Sequence, residues 1–74
     1  MPKPSRVVVD ELDLEHYVPV LKLQYPDHVL LFKDDGLAYH PGRDALVPVS
    51  DHDQFIRQCV VSEHRRVVVL EKVQ

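Results

Sequence analysis

The chain holds apolar runs without alternation, among them Val7-Val8-Val9, Val29-Leu30-Leu31-Phe32 and Val67-Val68-Val69-Leu70. A strand that is wet on one face alternates, so the two four-residue runs predict strands covered on both faces and set inside a sheet. The shorter Arg6-Val7-Val8-Val9-Asp10 run is β-branched and either adds an edge strand or lies on the core. Two other stretches repeat at three and four. Leu14, Tyr17, Val18, Leu21 and Tyr25 share one face of a helix over about 14–24, and Phe55, Ile56, Cys59 and Val60 share one face of a second. Gln54, Arg57, Gln58 and Val61 fall toward the edges or the outside of that second helix.

Capping and turn residues divide these elements. Asp13 can cap the first helix by accepting from its free amides, and Glu15 sits near the positive end of its dipole. Pro19 lacks an amide hydrogen, so either the helix bends there or it starts later with Pro19 in its first turn. Pro26 stops it. Asp34-Asp35-Gly36 carries a hairpin-turn signal, returning the chain through Leu37-Ala38-Tyr39. Pro41-Gly42-Arg43-Asp44 makes a second turn before a brief Ala45-Leu46-Val47 edge strand that closes at Pro48. Ser50, with Asp51 and Asp53 behind it, is an N-cap candidate of the S-x-x-D type, and Ser62-Glu63-His64-Arg65 ends the helix. Residues 1–5, with two prolines, read as a frayed arm. The predicted order is (β)αββ(β)αβ, an α+β fold with helices on a small mixed sheet of four to five strands.

Length and charge restrict what such a fold can do. Seventy-four residues make one domain with a small core. No apolar run approaches the roughly 18 residues of a spanning helix, and no signal-peptide core follows Met1, so a cytoplasmic protein without a membrane partner is expected. Cys59 is the single cysteine, which excludes an intrachain disulfide. Nine Lys and Arg against twelve Asp and Glu leave a net charge of -3. Proteins that bind nucleic acid by neutralising phosphates carry a basic excess, so autonomous DNA binding is disfavoured.

Candidate chemistry is sparse. His16, His28, His40, His52 and His64 recur every twelve residues, but their flanks do not repeat and they fall in unlike elements. No H-x-x-x-H or C-x-x-C pair starts a zinc site, and a metal site is not expected. Asp34 and Asp35 could in principle supply a cation site or an acid/base pair, but an exposed, solvated turn is the expected reading. Cys59 reads as a core residue, Ser50 as a cap, and Gly36 and Gly42 are too few for a phosphate-cradling loop. A non-enzymatic protein without a cofactor is expected.

The segment LKLQYPDHVLLF, residues 21–32, resembles the LK-x-Q-Y/H-P-D-x-LLLF opening of the N-terminal, mismatch-recognition domain of MutS-type DNA mismatch-repair proteins. Asp44-Ala45 falls at that family's D-A pair. The helix from Phe55 to Val60, the run Val67–Leu70 and Glu71-Lys72-Val73 are similar to its closing helix and strand. The resemblance covers most of Leu21–Val73, with a large deletion in the middle of the family's domain. It implies a MutS N-terminal-domain-like fold, and a small bacterial or phage accessory factor. In the family, a G-D-F-Y-E turn reads the mismatch: the phenylalanine stacks on the base and the glutamate bonds it. Here Leu37-Ala38-Tyr39, or Ala38-Tyr39-His40 in the register shifted by one, takes the F-Y-E positions, and neither keeps both residues. Mismatch reading is therefore not implied.

The expected function is that of an interaction module binding a protein partner. The alternative is a DNA-binding accessory domain that contacts backbone through Lys33, Arg43, Arg65 and Arg66, with Tyr39 stacking on a base. The small core and the edge strands also make a homodimer an option.

Overall fold

The computed structural model describes residues 5–10, 13–62 and 66–73. The elements are β1 (Ser5–Val9), α1 (Leu14–Gln24), β2 (His28–Phe32), β3 (Leu37–His40), β4 (Ala45–Pro48), α2 (His52–Ser62) and β5 (Arg66–Lys72), with a 3-10 turn at Lys33–Asp35. The strands form one mixed sheet in the order β1-β5-β2-β3-β4. β5 runs parallel to both β1 and β2, while the β2–β3 and β3–β4 pairs are antiparallel.

This order explains the unbroken apolar runs. β2 and β5 lie inside the sheet and are covered on both faces. Their alternate residues divide between two cores. Val29, Leu31, Val67 and Val69 meet Ala38, Cys59 and Val60, with Phe55 and Ile56 of α2 packed on them. Leu30, Phe32, Val68 and Leu70 meet Leu21 and Tyr39, with Leu14, Tyr17 and Val18 of α1 and Val7 of β1 alongside. The helices therefore sit on opposite faces of the sheet. The crossover β1-α1-β2 moves one way along the sheet and β4-α2-β5 moves the other, and crossovers of one hand that travel in opposite directions place their helices on opposite faces.

Several expectations hold and others need correction. The Val7–Val9 run joins the sheet as a parallel edge strand. Ser5, expected in a frayed arm, is the first residue of that strand and pairs with Val68, while residues 1–4 lie outside those described. α1 runs through Pro19 rather than starting at it. The proline is on the exposed side, where the Glu15 carbonyl that loses its donor can be met by water. The cap of α2 is Asp51, not Ser50: Gln54 N–H donates to Asp51 Oδ1 at 3.1 Å, and Phe55 N–H donates to the Asp51 carbonyl at 3.0 Å. The S-x-x-D pattern is thus read one residue early, because Asp also caps well. Gly36 has φ +63, as a left-handed turn residue should, but it closes a 3-10 turn rather than a two-residue hairpin loop. α2 runs to Ser62, the first residue of the end expected over Ser62–Arg65, and residues 63–65 lie outside those described.

Candidate functional site

Two polar clusters lie at opposite ends of the sheet. The first is built on the α1 face. Tyr39 follows Ala38 on β3, so its ring enters the α1 core while its hydroxyl reaches the turn that follows. There it donates to Asp44 Oδ1 at 2.5 Å, and Lys22 of α1 donates to the same oxygen at 3.1 Å. The Lys22 ammonium also stands 5.4 Å from the centroid of the Tyr39 ring, a cation-π arrangement. Asp44 is held at φ 49, a left-handed conformation that non-glycine residues other than Asn and Asp seldom adopt.

The charges in this cluster shift one another. The Tyr39 hydroxyl and then Lys22 hold the Asp44 carboxyl below the usual carboxylate range. Asp44 in turn raises the Lys22 ammonium and the Tyr39 phenol above their ordinary values. All three groups are therefore fixed in their neutral-pH forms, which suits a structural clasp between α1 and the β3–β4 turn. A general acid or base would instead be poised near the working pH.

Beside the clasp is an open groove between α1 and β4 of about 380 Å³, lined mainly by Leu14, Val18, Pro19, Tyr39, Ala45 and Leu46. A second groove, of about 350 Å³, lies beside the same helix along Asp13, His16, Tyr17 and Val20. The outer side of α1 sets Val20, 52% exposed and part of the second groove, and Leu23, 86% exposed, among the polar Glu15, His16, Lys22 and Gln24. α2 differs: its exposed positions are mainly the polar Asp53, Gln54, Arg57 and Gln58, joined by Val61 near its end.

The second cluster gathers at the carboxyl ends of β2 and β5. Glu71 Oε1 accepts from Arg6 at 2.7 Å and from Lys33 at 3.2 Å, tying β1, β5 and the 3-10 turn together. Asp34 Oδ2 accepts from the Lys72 amide at 2.6 Å. Asp34 therefore satisfies the backbone of β5 as well as occupying a turn, a role with no mark in the local sequence.

The residues proposed for nucleic acid do not gather into one patch. Arg66 pairs with His28 at the amino-terminal end of the parallel strands, and Arg43 lies in the β3–β4 turn at that same end. Lys33 stands beyond Phe32 at the other end, five residues on from His28 and thus about 16 Å away along the strand. Tyr39 is only 6% exposed, with its hydroxyl committed to Asp44 and Lys22 over its ring. Arg65 lies outside the described residues.

No group of three or more His, Cys, Asp or Glu is placed to hold a metal ion among the described residues. His16 bonds Asp13 at 2.6 Å, and the Tyr25 and His28 rings meet edge to face, so these histidines stand in separate local settings. Cys59 is buried in the α2 core. No helix among the described residues is long and apolar enough to cross a membrane. Compared with protein-family models, with curated proteins and with solved structures, the chain matches none.

Proposed function

We propose that the protein is a small non-enzymatic interaction module that binds a protein partner through the outer side of α1 and its two flanking grooves. The observation that carries this reading is the exposure of Leu23 and Val20 on a helix whose opposite side already fills the core. A helix covering one sheet is expected to be polar outside, as α2 largely is, whereas two large apolar residues exposed among polar neighbours suit the centre of a contact with a partner. The occupant best suited to the grooves is an apolar protein segment. Asp13, Glu15, Lys22 and Asp44 at the groove walls supply polar contacts of both signs around an apolar centre.

A fold like that of the MutS N-terminal domain is part of the same proposal. It is supported by the succession of α1, the Tyr25-Pro26-Asp27 breaker and β2, and by a closing helix and strand that lead to Glu71-Lys72-Val73. A DNA-backbone role has less support, since Lys33 and Arg66 lie at opposite ends of the sheet and Tyr39 is packed away.

The test is affinity purification with the wild-type chain and with Leu23→Glu and Val20→Glu, both outside the core. The reading expects a protein retained by the wild type and lost from variants with an unchanged circular dichroism spectrum. Equal retention by all three would overturn it.

A further inference from the structure

The outer edge of β1 has a self-complementary sequence. Val9 accepts from Val73 N–H at 2.8 Å, so the backbone polar groups of Val9 point inward toward β5. Along a strand these directions alternate, which turns those of Val7 inward as well and leaves those of Arg6 and Val8 directed outward, with Asp10 in the bend that directly follows the strand. β1 is an edge strand with β5 on one side only. The two outward residues and the bend residue after them, Arg6, Val8 and Asp10, are a cation, an apolar residue and an anion at equal spacing in the sequence. Reversed, this series is its own electrostatic complement.

We infer that the occupant of this edge is a second copy of the chain, paired antiparallel about a two-fold axis at Val8. In that register Val8 faces Val8 of the other copy as a hydrogen-bonded pair. Arg6 faces Asp10 at one end of the seam and Asp10 faces Arg6 at the other. Moving the axis by one residue, to Val7, would set an inward-directed residue on it and put Arg6 opposite Val8, losing both charge pairs. Charge complementarity therefore selects both the occupant and the register.

Three features fit this seam. Val8, 62% exposed in the single chain, is covered by its own symmetry mate. Arg6 uses one guanidinium nitrogen for Glu71 and its side chain is 65% exposed, so its other donors can reach Asp10 across the seam. The opposite edge is less suited, because β4 is shorter and closes on Pro48, which gives no amide to a ladder. Pairing at β1 would join the sheets of the two copies into one of ten strands, five from each. This surface is distinct from the outer side of α1, so either proposal can fail alone.

Sedimentation equilibrium over a concentration series tests it. The wild type is expected to approach twice the 8.6 kDa chain mass as concentration rises. Val8→Pro removes only an outward-directed amide hydrogen, leaves the hydrogen bonds to β5 in place, and is expected to hold the protein at 8.6 kDa. Asp10→Arg and Arg6→Asp each set like charges across the seam, and each should weaken self-association by more than about tenfold. Mixed in equal amounts, those two variants again set opposite charges against each other at both ends of the seam, and should form a heterodimer. Circular dichroism on each variant verifies folding. The inference is overturned if the wild type stays at 8.6 kDa at millimolar concentration, if folded Val8→Pro dimerises as the wild type does, or if the two folded charge variants fail to associate when mixed.

Discussion

Tyr39 on β3 and Asp44 in the following turn are joined by a 2.5 Å hydrogen bond, with the Asp44 backbone in the left-handed region. The bond joins the α1 core to the wall of the groove beside it. Because the Asp44 carboxyl sits below its ordinary range, its contribution to stability is present above the unfolded carboxylate value and is lost as pH falls through the folded one. The Tyr39 phenol and Lys22 ammonium are raised, so their contributions are present below their ordinary values and lost as pH rises through the raised ones. Urea unfolding should show wild type more stable than Asp44→Asn at neutral pH, with the two converging in acid. In a Tyr17→Phe/Tyr25→Phe background, spectrophotometric titration should find Tyr39 ionising at lower pH once Asp44 is Asn.

Phe32 and Leu30 are fully buried on the α1 side of β2, while Leu31 is fully buried on the α2 side. Phe32→Ala should cost about 3–5 kcal/mol and Leu31→Ala about 2–5 kcal/mol, since each leaves a cavity in a separate core. Chemical denaturation of the two variants measures this. A loss near zero at either position would mean that its core is not packed as described.

The caps of α2 can be told apart. Asp51→Ala removes the acceptor of the Gln54 amide and should destabilise by about 1 kcal/mol. Ser50→Ala should change stability by less than about 0.5 kcal/mol, because an exposed residue that is not the cap contributes little. Thermal melts of both variants read the difference directly.

Gly36 closes the 3-10 turn at φ +63, and an added Cβ would meet only the Val49 carbonyl oxygen at an ordinary 3.6 Å. Gly36→Ala should therefore cost about 1–2 kcal/mol from backbone strain alone, without a steric clash. Asn at the same position should recover part of that loss, since its side chain tolerates the left-handed region.

The alternative use of the basic residues has its own measurement. A mobility shift on duplex and single-stranded DNA at low salt, where phosphate contacts are strongest, should show no complex. A salt-sensitive complex weakened by Arg43→Ala and Arg66→Ala would restore the nucleic-acid reading.

Most of the fold was legible in the chain because its central strands are apolar on both faces. Val29–Phe32 and Val67–Leu70 could be stable only inside a sheet, and the helices were marked by their spacing and by Asp13. Smaller errors arose where two neighbours could play one part, as with Ser50 and Asp51. The polar clusters were not legible. Asp34 meeting the Lys72 amide, or Lys22 meeting Asp44, depends on contacts between residues 38 and 22 positions apart, which only the sheet order brings together. The outer side of α1 was legible in part: the spacing of Leu14, Tyr17, Val18 and Leu21 already turns Val20 and Leu23 off the core face, whereas the groove beside the helix depends on where Ala45 and Leu46 of β4 lie.

The outer side of α1 is the surface proposed to bind a partner. A photo-crosslinking amino acid placed at Leu23, with Gln58 on the exposed side of α2 as the matched control, tests it in the cells that make the protein. A discrete protein adduct is expected from position 23 and none from position 58. An absence of adduct at 23, or the same adducts from both positions, would contradict it.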